Sequence, residues 1–464
     1  MKAIINVLNE VDCVISGLSD EHVNTLYEHY GIYVDGYKFM PSFQLKKWDG
    51  KVRFFSKTGK TYTKILDEIL CVLIEYGYEI ELKDNRSYVK HITDSIDKSV
   101  FGNNKSELRD YQVNFVNTLL SEGSGFGICG TGGGKTKMCA ALAITYVKHE
   151  LKVLIIVPST DLVIQTAEEF EDELSNFDIS IGRYSGEYKD INHNIVVATW
   201  QSLQNVPHYM EMFQVVIVDE AHGAKASVIK SLMTEHGAHI RYRFGVTGTF
   251  PKPLEEQLTL QCVIGKKHIE ITSKWLIENG FLTPVEIIPV ITQDVVEEFP
   301  EYSNEKEYLA GFEPRLQEIA NFINSTDGNT LILVQHIKQG EILSKLLNNA
   351  IFIKGAVKSS DRKSSYAQYE NLNDFKLIAT FGCAKQGISI NRIFNVFIID
   401  LGKSFITTIQ SIGRGLRLAE GKTIMRVFDV TSKLKYSKKH LKDRLKYYKE
   451  AEYPVLETIK LKIK

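Results

Sequence analysis

Cys129-Gly130-Thr131-Gly132-Gly133-Gly134-Lys135-Thr136 joins a glycine cluster to a lysine and a hydroxyl. Glycines let a backbone bend tightly around phosphates, and N–H groups at a helix start point at the anion. Thr131, Gly132, Gly133 and Gly134 would make that cradle. Lys135 would reach the β/γ-phosphates, and the Thr136 hydroxyl would hold Mg²⁺. Cys129 stands where such loops carry their first glycine. About 85 residues further on, VVIVDEAH (215–222) sets Asp219 and Glu220 at the end of an apolar run. Mg²⁺ takes hard oxygen ligands and keeps several waters, so one carboxylate, Asp219, often suffices. Glu220 beside it is suited to orient or deprotonate an attacking water. His222 would link this pair to whatever lies across the cleft. Gly59-Lys60-Thr61 also spells GKT, but no glycine cluster precedes it, and it reads as part of a basic loop.

Such groups need a scaffold that brings strand ends together. From about residue 107 short apolar strands alternate with helical segments: FGIC (126–129), VLIIV (153–157), NIVVAT (194–199) and VVIVD (215–219). TLILVQ, AIFIK, KLIAT, NVFIID and TIMRVFDV form a second series from about 330. This alternation predicts an α/β chain with two parallel sheets and crossover helices, joined near 285–310. Ahead of them, residues 1–85 read as a small α+β domain: FQLKKW and KVRFFS as a hairpin turning at Asp49-Gly50, then a helix over 65–77 ending at Gly77. The expected division is 1–85, a polar linker 86–106, motor-like domains 107–285 and 286–432, and a Lys-rich helical tail 433–464.

The 464 residues carry 56 Lys+Arg against 57 Asp+Glu, a net charge of −1 that on its face argues against a polyanionic partner. Resolved along the chain, 35–64 carries +6 and 403–464 carries +10, around an acidic body. Lys38, Lys46, Lys47, Lys51 and Arg53 would meet phosphates, while Trp48, beside the turn, is expected to be exposed for stacking. Phe39 and Phe54 are expected in the core of the small domain. Six scattered cysteines without a CxxC argue against a disulfide framework or zinc site and for a reducing cytoplasm. No apolar run approaches the roughly 18 residues that span a membrane, and the N-terminus lacks the pattern of a secretory signal.

Taken in order, the motifs of 107–430 resemble those of superfamily 2 DExH-type helicases and nucleic-acid translocases. The resemblance implies two RecA-like domains closing on ATP·Mg²⁺. It makes LRDYQ (108–112) the adenine-recognition segment, with Arg109 and Gln112 at the base. Pro158, Ser159 and Thr160, with Thr199 and Gln201, would hold a nucleic-acid backbone, and Thr247 and Thr249 of VTGT would couple hydrolysis to movement. ILVQHIKQGEIL and IATFGCAKQGISI, through Gln335 and Thr380, would grip the strand from the second domain, with Gly387 joining His222, Thr247 and Thr249 in the coupling. QSIGRGLR supplies Gln410 and the arginine fingers Arg414 and Arg417. Arginine is always charged and forked, suited to charge developing on the γ-phosphoryl oxygens. Ser389 stands where many relatives carry an acidic residue.

DGYKFMPSFQLKKWDGKVRFF (35–55) resembles the N-terminal domain of UvsW-type recombination helicases of tailed phages. That implies an ATP-dependent DNA helicase acting in the host cytoplasm on branched DNA (branch migration, fork regression), alongside phage recombination proteins and with no membrane partner. A duplex translocase that never separates strands, an RNA helicase, and a non-catalytic nucleotide-regulated DNA-binding scaffold are the competing expectations.

Overall fold

The computed structural model describes residues 1–87, 91–92, 94–220, 226–353, 372–381, 392–402 and 417–463. They form two compact units, one of residues 1–129 and 134–270, the other of 130–133 and 271–464.

The first unit holds a small sheet and a large one. The small sheet runs Lys60–Tyr62, Asp12–Ser16, Lys2–Val7, Glu79–Asp84. Its first pairings are antiparallel and its last is parallel. The expected hairpin is not formed. Pro41 opens a helical turn over Pro41–Gln44, and Lys51–Arg53 pairs instead with Gly31–Tyr33. Leu66–Glu75 is helical, and Gly77 ends it at φ +76°. The Gly59 decoy is structural: a Cβ there would strike the Ile15 carbonyl, Lys60 pairs with Asp12 at 3.2 Å, and Thr61 donates to the Phe54 carbonyl.

The large sheet of the first unit has the order Lys267–Ile271, Ser124–Cys129, Tyr242–Thr247, Val215–Asp219, Val153–Val157, Ile195–Thr199, Ile181–Tyr184. Its strands from Ser124–Cys129 onward pair in parallel. The interior ones are almost wholly buried on both faces, which is why they read as unbroken apolar runs. Side chains of the small sheet and the large one, with helix Leu254–Val263, share one continuous core.

The second unit is a parallel sheet ordered Ala350–Ile353, Lys376–Thr380, Thr330–Val334, Asn395–Ile399, Met425–Ser432, Val285–Gln293, Ile459–Lys462. Part of the stretch expected to join the domains is thus a nine-residue strand, Val285–Gln293, paired on both sides. The Lys-rich segment is a helix, Lys435–Glu450, and it is docked: Leu441, Arg444 and Tyr448 are buried. Glu305 anchors its start by accepting from Ser437 N–H at 2.8 Å and from the Ser437 hydroxyl. No helix of the described residues is long and apolar enough to cross a membrane.

Candidate functional site

Parallel pairing puts the carboxyl ends of the first unit's strands on one edge. Thr247 stands opposite Ile128, Asp219 opposite Val246, and Thr199 opposite Val157. Ligands of open α/β sheets bind at that edge, and the candidate residues are assembled there. Helix Lys135–Val147 follows strand Ser124–Cys129 through the glycine loop, with Gly132 at φ +88° and Gly134 at φ +80°. Gly134 has a second reason to be glycine: a Cβ there would run into the amide nitrogen of Gln112.

Lys135 Nζ lies 3.4 Å from the Cys129 carbonyl oxygen and 3.5 Å from Glu220 Oε1. Burial works against its charge, but Glu220 and Asp219 outweigh that and hold its pKa above the usual lysine value. Asp219 is shifted upward by burial and by repulsion from Glu220, with Lys135 pulling the other way. Its Oδ1 is buried and accepts no hydrogen bond among the described residues. A carboxylate oxygen so placed suits a cation or its bound water, so the side chains present fit Mg²⁺. Glu220 sits in the left-handed region, φ 52°, with its N–H donated to the Val246 carbonyl at 2.9 Å. Its Oε2 is 3.4 Å from the Thr247 hydroxyl, which is 2.9 Å from the Thr249 carbonyl oxygen. Of the proposed coupling residues, Thr247 thus meets the acidic residue directly and Thr249 meets Thr247.

Gln112 is 5% exposed, and its Oε1 accepts from the Arg109 N–H at 2.9 Å, closing the start of helix Asp110–Glu122. On the same sheet edge, Ser159 caps helix Thr160–Glu173, and Gln201 Nε2 donates to the Pro158 carbonyl at 3.2 Å. Thr199 is buried and accepts from Ser202 N–H as a helix cap. In the second unit Gln335 follows strand Thr330–Val334, whose Val334 pairs with Thr380, so these two share a strand-end edge. The Arg417 carbonyl accepts from Thr283 Oγ1 and Lys422 Nζ, both at 3.2 Å, while the residue itself is exposed. His222, Gly387, Gln410 and Arg414 lie outside the described residues, as does Ser389.

The basic cluster of the small domain divides. Lys51 is paired with Glu28 at 2.7 Å; Arg53 is paired with Asp49 at 2.5 Å and lies over the Tyr27 ring. Trp48 is half-buried, with Nε1 donated to the Lys51 carbonyl. Lys38, Lys46 and Lys47 are exposed. Phe54 is in the core as expected, whereas Phe39 is 84% exposed. The chain's alternation gave no sign of that, because Phe39 ends a three-residue 3-10 turn, Tyr37–Phe39, too short for a period to show.

Three family models match the chain: "Type III restriction enzyme, res subunit" over 105–252, "Helicase conserved C-terminal domain" over 314–419, and "DNA helicase UvsW, N-terminal" over 11–83. The ATP-dependent DNA helicase uvsW of Enterobacteria phage T4 is 25% identical over 501 residues, covering 97% of each chain. Among solved structures, the Type ISP restriction-modification enzyme LlaBIII bound to DNA superposes with TM-score 0.60 at 15% identity, covering 87% of this chain and 36% of that one. The S. cerevisiae Dbp5 bound to RNA and ADP BeF3 gives 0.51 at 17%, covering 77% and 90%. The latter two likenesses show the fold, two RecA-like domains. With the matched N-terminal, central and C-terminal models in this order, the chain is an ATP-dependent helicase of superfamily 2, similar along nearly its whole length to the UvsW of phage T4.

Proposed function

We propose that this chain is a DNA motor that remodels branched DNA, by branch migration and fork regression, in the host-cell cytoplasm. One observation carries the reading: a helicase site in which Lys135, Asp219, Glu220 and Thr247 already form one cluster occurs in a chain that also carries a UvsW-type domain at 11–83. In this reading Lys135 and the loop Thr131–Gly134 hold the triphosphate, and Arg109 and Gln112 hold the base. Asp219 and Thr136 would hold Mg²⁺, which when bound neutralises charge on the phosphates. Glu220 orients the attacking water and passes the change to Thr247. Arg414 and Arg417 would supply positive charge to the γ-phosphoryl oxygens in the transition state, with Gln410 in the same motif. Pro158, Ser159, Thr160, Gln201, Gln335 and Thr380 track the strand, and the small basic domain directs the motor to junctions. The division at 85, 106, 285 and 432 belongs to this proposal.

The test compares ATPase stimulation and strand exchange on forks, four-way junctions, plain duplex and single-stranded RNA. Fork or junction DNA should stimulate most, and Lys135→Ala should abolish turnover while leaving DNA binding in place. Turnover by Lys135→Ala at the normal rate overturns the site. A second reading, translocation on duplex without strand separation, is favoured by the restriction-subunit match over 105–252. It predicts equal stimulation by plain duplex and no displaced strand.

A further inference from the structure

The small domain presents a knuckle that its own fold does not use. Phe39 is 84% exposed and Leu45 64% exposed, two large apolar side chains on one surface turn. The turn is built, not loose. Gly36 takes φ +68°, and the Phe39 N–H donates to its carbonyl at 2.9 Å. Pro41 starts the helical turn Pro41–Gln44. The chain then folds back: Lys46 and Lys47 donate their N–H groups to the Phe43 and Ser42 carbonyls, each at 2.9 Å, with Lys46 left-handed at φ 54°. Gln44 Nε2 donates to the Lys38 carbonyl, which ties the Phe39 segment to the Leu45 segment. Underneath, Tyr37 stacks on Tyr33 at 4.6 Å and meets Phe43 edge-on at 4.8 Å. Gly50 lies against Tyr37, where a Cβ would collide with the ring.

The charges around this knuckle differ from those behind it. Lys51 and Arg53 are spent on Glu28 and Asp49. Lys38, Lys46 and Lys47 are exposed, with no ion-pair partner among the described residues. An exposed aromatic face among uncompensated ammonium groups is complementary to a base lying between phosphates. A surface built for a protein partner would be depleted of lysine at its centre.

We propose that Phe39, with Leu45 beside it, is a wedge that stacks on bases left unpaired at a DNA branch point, while Lys38, Lys46 and Lys47 hold the flanking phosphates. The proposal rests on the branched-DNA reading above and names the residues that recognise the branch. Apolar side chains inserted at base steps, and aromatic rings stacked on bases, are general means of gripping deformed or unpaired nucleic acid.

The full chain is titrated against a fluorescent fork and a linear duplex of equal length, at several salt concentrations. Phe39→Ala should weaken fork binding about tenfold and duplex binding less than about twofold, with the salt slope kept. Phe39→Trp should retain the fork preference, and a 2-aminopurine at the branch should brighten with wild type but not with Phe39→Ala. Melting curves of both variants check the fold, which an exposed side chain should not disturb. Fork binding by Phe39→Ala equal to wild type overturns the wedge and leaves the knuckle to a protein partner. Equal losses on fork and duplex also overturn it. A wild-type chain with no preference for the fork fails differently, because it removes the branched-DNA reading itself.

Discussion

The two large sheets end an acid-bearing strand in the same backbone form and wire the acid differently. After Val215–Asp219, Glu220 takes φ 52° and gives its N–H to Val246; after Asn395–Ile399, Asp400 takes φ 52° and gives its N–H to Val430 at 3.0 Å. Asp400 is then saturated. Arg315, wholly buried, donates to both its oxygens at 2.8 and 2.7 Å, and Gln339 adds a third bond at 2.8 Å. Asp294 joins the same cluster by accepting from Thr292, Tyr308 and Ser432. Glu220 meets Lys135 and Thr247 at longer range, 3.5 and 3.4 Å, and its neighbour Asp219 keeps a buried oxygen with no hydrogen bond among the described residues. One topology thus serves two ends. Where buried charge is fully bonded it locks the fold, and where bonding capacity is left over it is available to a ligand.

Matched substitutions test that contrast. Glu220→Gln keeps the shape and removes the base, so ATP turnover should fall about 10²- to 10⁴-fold while the unfolding midpoint hardly moves. Steady-state ATPase beside thermal melting reads both. A large loss of stability here would place Glu220 with Asp400 among the locking charges. Asp400→Ala should do the reverse and destabilise the second unit by about 3 kcal/mol, because buried Arg315 loses its two-bond partner and keeps as its acidic partner the longer contact to Asp294 at 3.4 Å. Denaturant unfolding with probes in that unit measures it. An Asp400→Ala chain as stable as wild type would break the comparison.

The same physics explains what the sequence could show. The phosphate loop and the Asp219–Glu220 pair were legible because wrapping phosphate and holding Mg²⁺ admit few residue types. The interior strands were legible because burial on both faces demands apolar runs. Strand Val285–Gln293 was not, since Pro289 and the polar Thr292 interrupt its pattern; Thr292 is tolerated there because it bonds Arg315 and Asp294. Edge strand Ile459–Lys462 alternates with lysine and looks like a solvated tail. Helix Lys435–Glu450 was read by its lysines, but its buried stripe is set by Arg444, bonded twice to Asp429, which no spacing rule announces. Lys51 and Arg53 resemble Lys46 and Lys47 in sequence, and only the placement of Glu28 and Asp49 separates them.

Lys64 falls between the two extremes and sharpens the contrast with the smallest effect. It lies where the small domain meets the large sheet, and its Nζ donates to a neutral partner, Ser124 Oγ, at 2.8 Å. Burial lowers its pKa to about 8, with Arg243, Arg86 and Arg241 adding to the shift and Glu10 opposing it. A lysine depressed in the folded state binds fewer protons there than in the unfolded chain between about 8 and its ordinary value near 10.4. Wild-type stability at this junction should therefore rise with pH across that window. Lys64→Met removes the half-buried charge and keeps much of the volume, so at pH 7 it should be about 1 kcal/mol more stable than wild type. The gap should close as the wild-type ammonium deprotonates above pH 8. Hydrogen exchange of the small sheet at pH 7 and denaturant midpoints up to pH 10 follow both arms. A methionine variant less stable at pH 7, or a gap that widens with pH, would mean that a charge with one neutral partner locks a fold as well as a saturated one, and the distinction drawn between Asp400 and Glu220 would lose its physical basis.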